Sequence, residues 1–193
     1  NARNLLQKIV DQDISDAAFP YMGAGNITVC GGLRARLFRI SFSGELAYEV
    51  AVPTRYGDAL LREMLARGAE FDPIVYGTEA LGVMRIEKGH VAGGELNGQS
   101  TALNMGLGKM VSKKKDSIGM VLSQREGLTN DTGYRLVGVK PVDPQGKLTA
   151  GSHFLETGAA PVAANDGGWL TSKVYSPHIG CDIALGSATS PHA

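Results

Sequence analysis

The chain has 193 residues, 43% of them hydrophobic, enough to build one large core or two small ones and too apolar for a disordered segment. Lysine plus arginine equals aspartate plus glutamate at 19 each, which removes the electrostatic argument for nucleic acid or an anionic membrane as main partner. No apolar run reaches the length of a membrane span, and the two cysteines, Cys30 and Cys181, form neither a CxxC pair nor a framework, in keeping with a reduced, cytoplasmic setting.

The chain opens inside a helical pattern, with Ala2, Leu5, Leu6, Ile9 and Val10 on one face, as expected of a piece of a longer protein. Residues 11–20 read as a connection, because Phe19-Pro20 forces extended backbone. A strand is expected over residues 26–30, a glycine turn at Gly31-Gly32, and a longer strand over 33–42. The apolar phase of that longer strand changes midway, from Leu33, Ala35 and Leu37 to Phe38, Ile40 and Phe42. The change predicts a bulge near Leu37 or a strand buried on both faces.

Gly44-Glu45 then breaks the strand, and residues 47–52 resume it. This places the Glu45 carboxylate at the lip of a sheet, with Tyr48 close behind. A carboxylate so placed can accept two parallel hydrogen bonds from a planar donor pair, although a solvated hairpin turn has the same sequence. A helix with Thr54 as N-cap runs to Gly68, and another spans residues 78–88 and ends at Gly89. On the latter helix Ala80, Leu81, Val83 and Met84 form an apolar arc that includes Glu87, with Arg85 at its edge. A carboxylate there needs a partner: a structural salt bridge or backbone bond answers that need, and so does a polar pocket bordered by Arg85 and Glu87.

Residues 89–108 are rich in glycine and polar residues and read as a loop or linker. The Lys113-Lys114-Lys115 run reads as a solvated turn or, as the less common alternative, an anion contact. A short helix over 117–123 then leads into strands at 134–139, 153–156, 169–175 and 179–185, spaced as in a small antiparallel sandwich or barrel. The division between the two units is expected near residue 112. The four histidines show no metal-ligand spacing, and GxSxG, P-loop and dinucleotide-binding glycine motifs are absent.

Several segments, taken in order, resemble the folate-binding family of the glycine-cleavage T-protein, or aminomethyltransferase. They are Phe42-Ser43-Gly44-Glu45-Leu46-Ala47-Tyr48-Glu49-Val50, the helix from Gly77 to Gly89, Met105-Gly106-Leu107-Gly108 with Lys115-Asp116-Ser117-Ile118-Gly119, and Gly168-Trp169-Leu170-Thr171-Ser172 through Ser176-Pro177. Within that family the likeness is greatest to the C-terminal region of heterotetrameric sarcosine oxidase α subunits, through Ile40-Ser41-Phe42-Ser43-Gly44-Glu45-Leu46 and Arg85-Ile86-Glu87-Lys88-Gly89.

The resemblance implies an α+β fold: residues 1–112 as the C-terminal half of an aminomethyltransferase-like folate-binding domain, and 113–193 as a small antiparallel β-barrel. It implies tetrahydrofolate as cofactor, bound by Glu45, Tyr48 and Arg85, and capture of the one-carbon unit from sarcosine demethylation as 5,10-methylenetetrahydrofolate. FAD, FMN and NAD would belong to the parent complex, whose other subunits are the expected partners. The family's catalytic aspartate would precede Asn1, so no catalytic residue and no independent turnover are expected here. A stand-alone aminomethyltransferase, and a T-protein-like assembly module without folate activity, remain the alternatives.

Overall fold

The computed structural model describes residues 1–129 and 133–189. The chain divides into two compact units, Asn1–Leu81 and Gly82–Ala193.

In the first unit, helix α1 (Ala2–Gln7) leads to strands β1 (Ala24–Val29), β2 (Leu33–Phe38) and β3 (Glu49–Ala51), an antiparallel sheet in the order β1-β2-β3. Cys30, Gly31 and Gly32 all have positive φ and close the β1–β2 hairpin, the conformation for which the glycine pair is suited. One sheet face supplies Ile27, Val29, Ala35 and Leu37 to a core completed by Leu6, Ile9, Val10, Ile14 and Leu60. The period-two alternation of β2 is therefore a one-sided burial pattern.

The expected bulge near Leu37 does not form: Leu37 pairs in unbroken register with Gly25 and Val50. The phase change has another cause. β2 ends at Phe38, four residues earlier than predicted, so Ile40 and Phe42 lie beyond the strand. The returning strand is likewise shorter than the predicted 47–52, and Phe38 pairs with Glu49.

A 3-10 turn (Thr54–Tyr56) precedes helix α2 (Gly57–Arg67). Thr54 makes no side-chain cap, because it already lies inside that 3-10 turn. Gly68 ends α2 where a Cβ would come within 2.5 Å of Leu5 and 2.6 Å of the Met64 carbonyl. Helix α3 (Thr78–Lys88) has the predicted bounds, and Gly89 follows with φ of 75°.

In the second unit, Ile86 of α3 packs with Cys181, Ile183 and Leu185. Two short helices, α4 (Ile118–Ser123) and α5 (Glu126–Thr129), precede strands β4 (Arg135–Val139), β5 (Gly168–Ser176) and β6 (Cys181–Ala188). These strands form an antiparallel sheet in the order β4-β6-β5, with every residue of β6 buried. The predicted strand at 153–156 contributes only the isolated bridge His153–Trp169. Among the described residues, then, the expected barrel is a three-stranded sheet and does not close. Its register shifts between Leu170 and Ser172, which leaves Thr171 as an extra residue in β5.

No helix among the described residues is long and apolar enough to cross a membrane.

Candidate functional site

The ten residues from Arg39 to Tyr48 connect β2 to β3 and carry two of the predicted site residues. Gly44 adopts φ of 100°, and its N–H donates to Ser41 Oγ at 2.8 Å, which fixes the bend immediately before Glu45. Glu45 is exposed, and among the described residues no hydrogen bond or ion pair engages its carboxylate.

Tyr48 is half-buried against the core, and its Oη accepts a hydrogen bond from Arg3 Nε at 2.9 Å. The hydroxyl proton stays free to donate elsewhere. Arg3 also forks onto Asp16 at 3.1 and 2.6 Å, and Arg39 Nη2 reaches the same carboxylate at 2.5 Å. Hydrogen bonds from Arg3 and then Arg39 hold the Asp16 carboxyl below its ordinary range. A further N–H of Arg39 donates to the Phe19 carbonyl at 2.9 Å, while its buried Nε has no partner among the described residues. These two arginines and Asp16 brace both ends of the Glu45 loop, since Arg39 opens it and Tyr48 closes it.

The third predicted residue, Arg85, belongs to the second unit, in a polar cluster around Glu95. Glu95 is completely buried and accepts from Arg85 Nη1 at 3.0 Å and from the Ala92 N–H at 2.8 Å. The hydroxyls of Thr171 and Ser172 both reach its Oε1 at 2.6 Å. Arg85 also donates to Ser172 Oγ at 2.7 Å and to the His90 carbonyl at 3.2 Å. Burial pushes the Glu95 carboxyl up, but the hydrogen bonds from Ser172, Thr171 and Ala92, together with the charge of Arg85, outweigh it and hold the group below its ordinary range. Glu95 is thus an anion at neutral pH with each oxygen satisfied.

The carboxylate that pairs with Arg85 is therefore Glu95, from the segment read as a loop. Glu87, placed by sequence on a buried face, is exposed and accepts from the buried Ser176 hydroxyl at 2.5 Å. Ile86 is the residue of α3 that enters the core, because the helix turns its Ile86 side to β6. No bond joins Arg85 to Glu87 among the described residues. Sequence reasoning missed Arg3, Asp16 and Glu95; the only sequence signal for the last cluster was the Thr171-Ser172 pair within a familiar motif.

Among the described residues no group of three His, Cys, Asp or Glu side chains is placed to hold a metal, and His192 lies outside them.

The GCVT N-terminal domain profile matches residues 1–115, more than half of the sequence. The chain belongs to the GCVT family. Consistent with that membership, it is 53% identical to sarcosine oxidase subunit alpha of Rhizobium meliloti (strain 1021), over 95% of this chain and 19% of that protein. It is 37% identical to the sarcosine oxidase subunit alpha of Corynebacterium sp. (strain P-1), again over 95% of this chain and 19% of that protein. The chain thus spans about a fifth of the length of these curated relatives.

The GCVT fold is also evident in three dimensions. The glycine cleavage system aminomethyltransferase T from Bartonella henselae superposes with a TM-score of 0.62 at 22% identity, over 80% of this chain and 42% of that one. The chain thus has a T-protein-like fold of mixed helices and two small antiparallel sheets.

Proposed function

We propose that this chain is the tetrahydrofolate-binding part of a sarcosine oxidase α subunit, and that it captures the one-carbon unit released by oxidative demethylation of sarcosine as 5,10-methylenetetrahydrofolate. The observation that carries the reading is the free Glu45 carboxylate, held on a bend that Gly44 and Ser41 fix. A pterin presents a ring N–H beside its 2-amino group, a planar donor pair that suits one carboxylate. Tyr48, anchored through Arg3, offers a ring and a free hydroxyl proton three residues further on. The family resemblance also points to Arg85 as a cofactor-binding residue, and within its own unit Glu95 and Ser172 fix the orientation of its guanidinium.

GCVT membership supports the folate assignment, and likeness to the α subunits over 95% of the chain supports the oxidase assignment. On this reading residues 1–112 complete a folate-binding domain and residues 113–193 form the following β-rich domain. FAD, FMN, NAD and the remaining subunits belong to the rest of a cytoplasmic heterotetramer.

The test is tetrahydrofolate binding by the complete natural polypeptide, measured by calorimetry. Glu45→Gln keeps the shape and one acceptor but loses the charge, and should weaken binding about tenfold or more, the loss expected of a charge-assisted bond of roughly 1.5–3 kcal/mol. Unchanged affinity would remove Glu45 from the site. Absence of folate binding by the unaltered polypeptide would instead leave a T-protein-like assembly module, and aminomethyl transfer from a lipoyl carrier would identify a stand-alone aminomethyltransferase.

A further inference from the structure

The first sheet buries one face and leaves the other open. Arg34 and Arg36, two residues apart on β2, stand on that open face, both exposed. In register across from them on β1 are Thr28 and Asn26, and on β3 the small Ala51 lies opposite Arg36. A groove of about 360 Å³ runs over this face, lined by Asn26, Arg34, Arg36, Ala51, Val52 and Pro53 among others.

Among the described residues Arg3, Arg39, Arg62, Arg67 and Arg85 are each paired with a carboxylate, while Arg55, Arg125 and Arg135 are not. Among the described residues neither Arg34 nor Arg36 is paired with one either. Arg36 instead lies with its guanidinium carbon 6.0 Å from the centroid of the Phe38 ring, which restricts where its fork is held. Among the described residues of the three strands the one acidic side chain on this face is Glu49, opposite Phe38 and beyond Arg36, and no ion pair among the described residues joins it to either arginine.

We propose that this open sheet face binds an extended acidic segment of a partner polypeptide, with carboxylates at alternate positions seated on Arg34 and Arg36. The period decides the chemistry. Residues i and i+2 of a strand stand about 7 Å apart on one face, and an extended peptide repeats its side chains at the same spacing. Two carboxylates separated by one residue therefore match the spacing of Arg34 and Arg36 along β2, and each guanidinium can offer a carboxylate two parallel bonds. Glu49 limits the acidic run at one end: the peptide position beyond Arg36 takes a neutral or basic residue, because a third carboxylate there would face a like charge.

The experiment is fluorescence anisotropy on the complete natural polypeptide with three labelled probes at low and physiological salt. One peptide carries glutamates at alternate positions followed by a lysine, a second has the same composition with adjacent glutamates, and a third carries lysines at the alternate positions. The alternating acidic peptide should bind at least fivefold more tightly than the adjacent one, and Arg34→Gln with Arg36→Gln should weaken it at least tenfold. Reversal to Arg34→Glu with Arg36→Glu should transfer preference to the lysine peptide. Equal binding of the two acidic peptides, or competition by inorganic pyrophosphate at concentrations that also displace the adjacent peptide, would reduce the face to a general anion patch and overturn the proposal. So would an affinity that neither double substitution changes. Folate binding by the same variants separates this surface from the Glu45 site, which they should leave unaltered.

Discussion

Thr171 and Ser172, adjacent in β5, both set a hydroxyl oxygen 2.6 Å from the same Oε1 of Glu95. In a regular strand successive side chains point to opposite faces, so neighbours cannot share one acceptor. Here the register shift between Leu170 and Ser172 makes Thr171 an unpaired extra residue and turns both hydroxyls to one side. The irregularity is what allows a fully buried anion to sit beside the sheet. Gly94 completes the approach: a Cβ there would lie 3.2 Å from both the Thr171 carbonyl and Ser172 Oγ.

That cluster predicts the acid limb of stability. The Glu95 carboxyl titrates lower in the folded chain than its ordinary value of 4.5. Its stabilising contribution is therefore complete above that value and is lost as pH falls through the folded one. Glu95→Gln should flatten the fall in thermal midpoint below pH 4.5, where the native chain loses stability. At neutral pH the same substitution should cost about 3 kcal/mol or more, since Arg85, with a side chain only 12% exposed, keeps its charge without a counterion. Differential scanning across pH checks both, and a parallel acid limb in the variant would assign that limb to other carboxylates.

Gly168 begins β5 with φ of 123°, and a Cβ there would lie 1.9 Å from the Ser187 carbonyl oxygen. Only glycine combines this angle with so close a backbone approach. Gly168→Ala should destabilise by at least ~2 kcal/mol through strain and displacement of β6. Chemical denaturation reads the loss, and a change under ~0.5 kcal/mol would mean the strand end relaxes freely.

Asp16 offers the opposite case. It joins Arg3 and Arg39, but its side chain is 70% exposed, so water and salt screen the pairs. Asp16→Asn should leave the denaturation midpoint nearly unchanged at high salt and lower it only slightly at low salt. A large, salt-insensitive drop would show that the pairing supports the buried part of Arg39 more than its exposure implies.

Local elements were legible in the sequence because their causes are local. Gly31-Gly32 marks a hairpin through backbone freedom, and helix α3 was bounded by its periodicity and by Gly89. The apolar alternation of β2 likewise foretold which residues enter the core. The Glu45 turn was visible for the same reason, as a glycine between two strand-like runs.

Pairing decided the rest. β2 stops at Phe38 because its partners on β1 and β3 stop at Ala24 and Glu49, a limit no window around Phe38 contains. Glu95 looked like part of a polar loop because its partners lie 10 residues away at Arg85 and 76 and 77 away at Thr171 and Ser172. By itself the sequence determined turns, helices and the residues with an apolar phase. Only the tertiary structure settled which charges were satisfied within the fold, because burial and neutralisation of a charge depend on groups brought together by the folded chain.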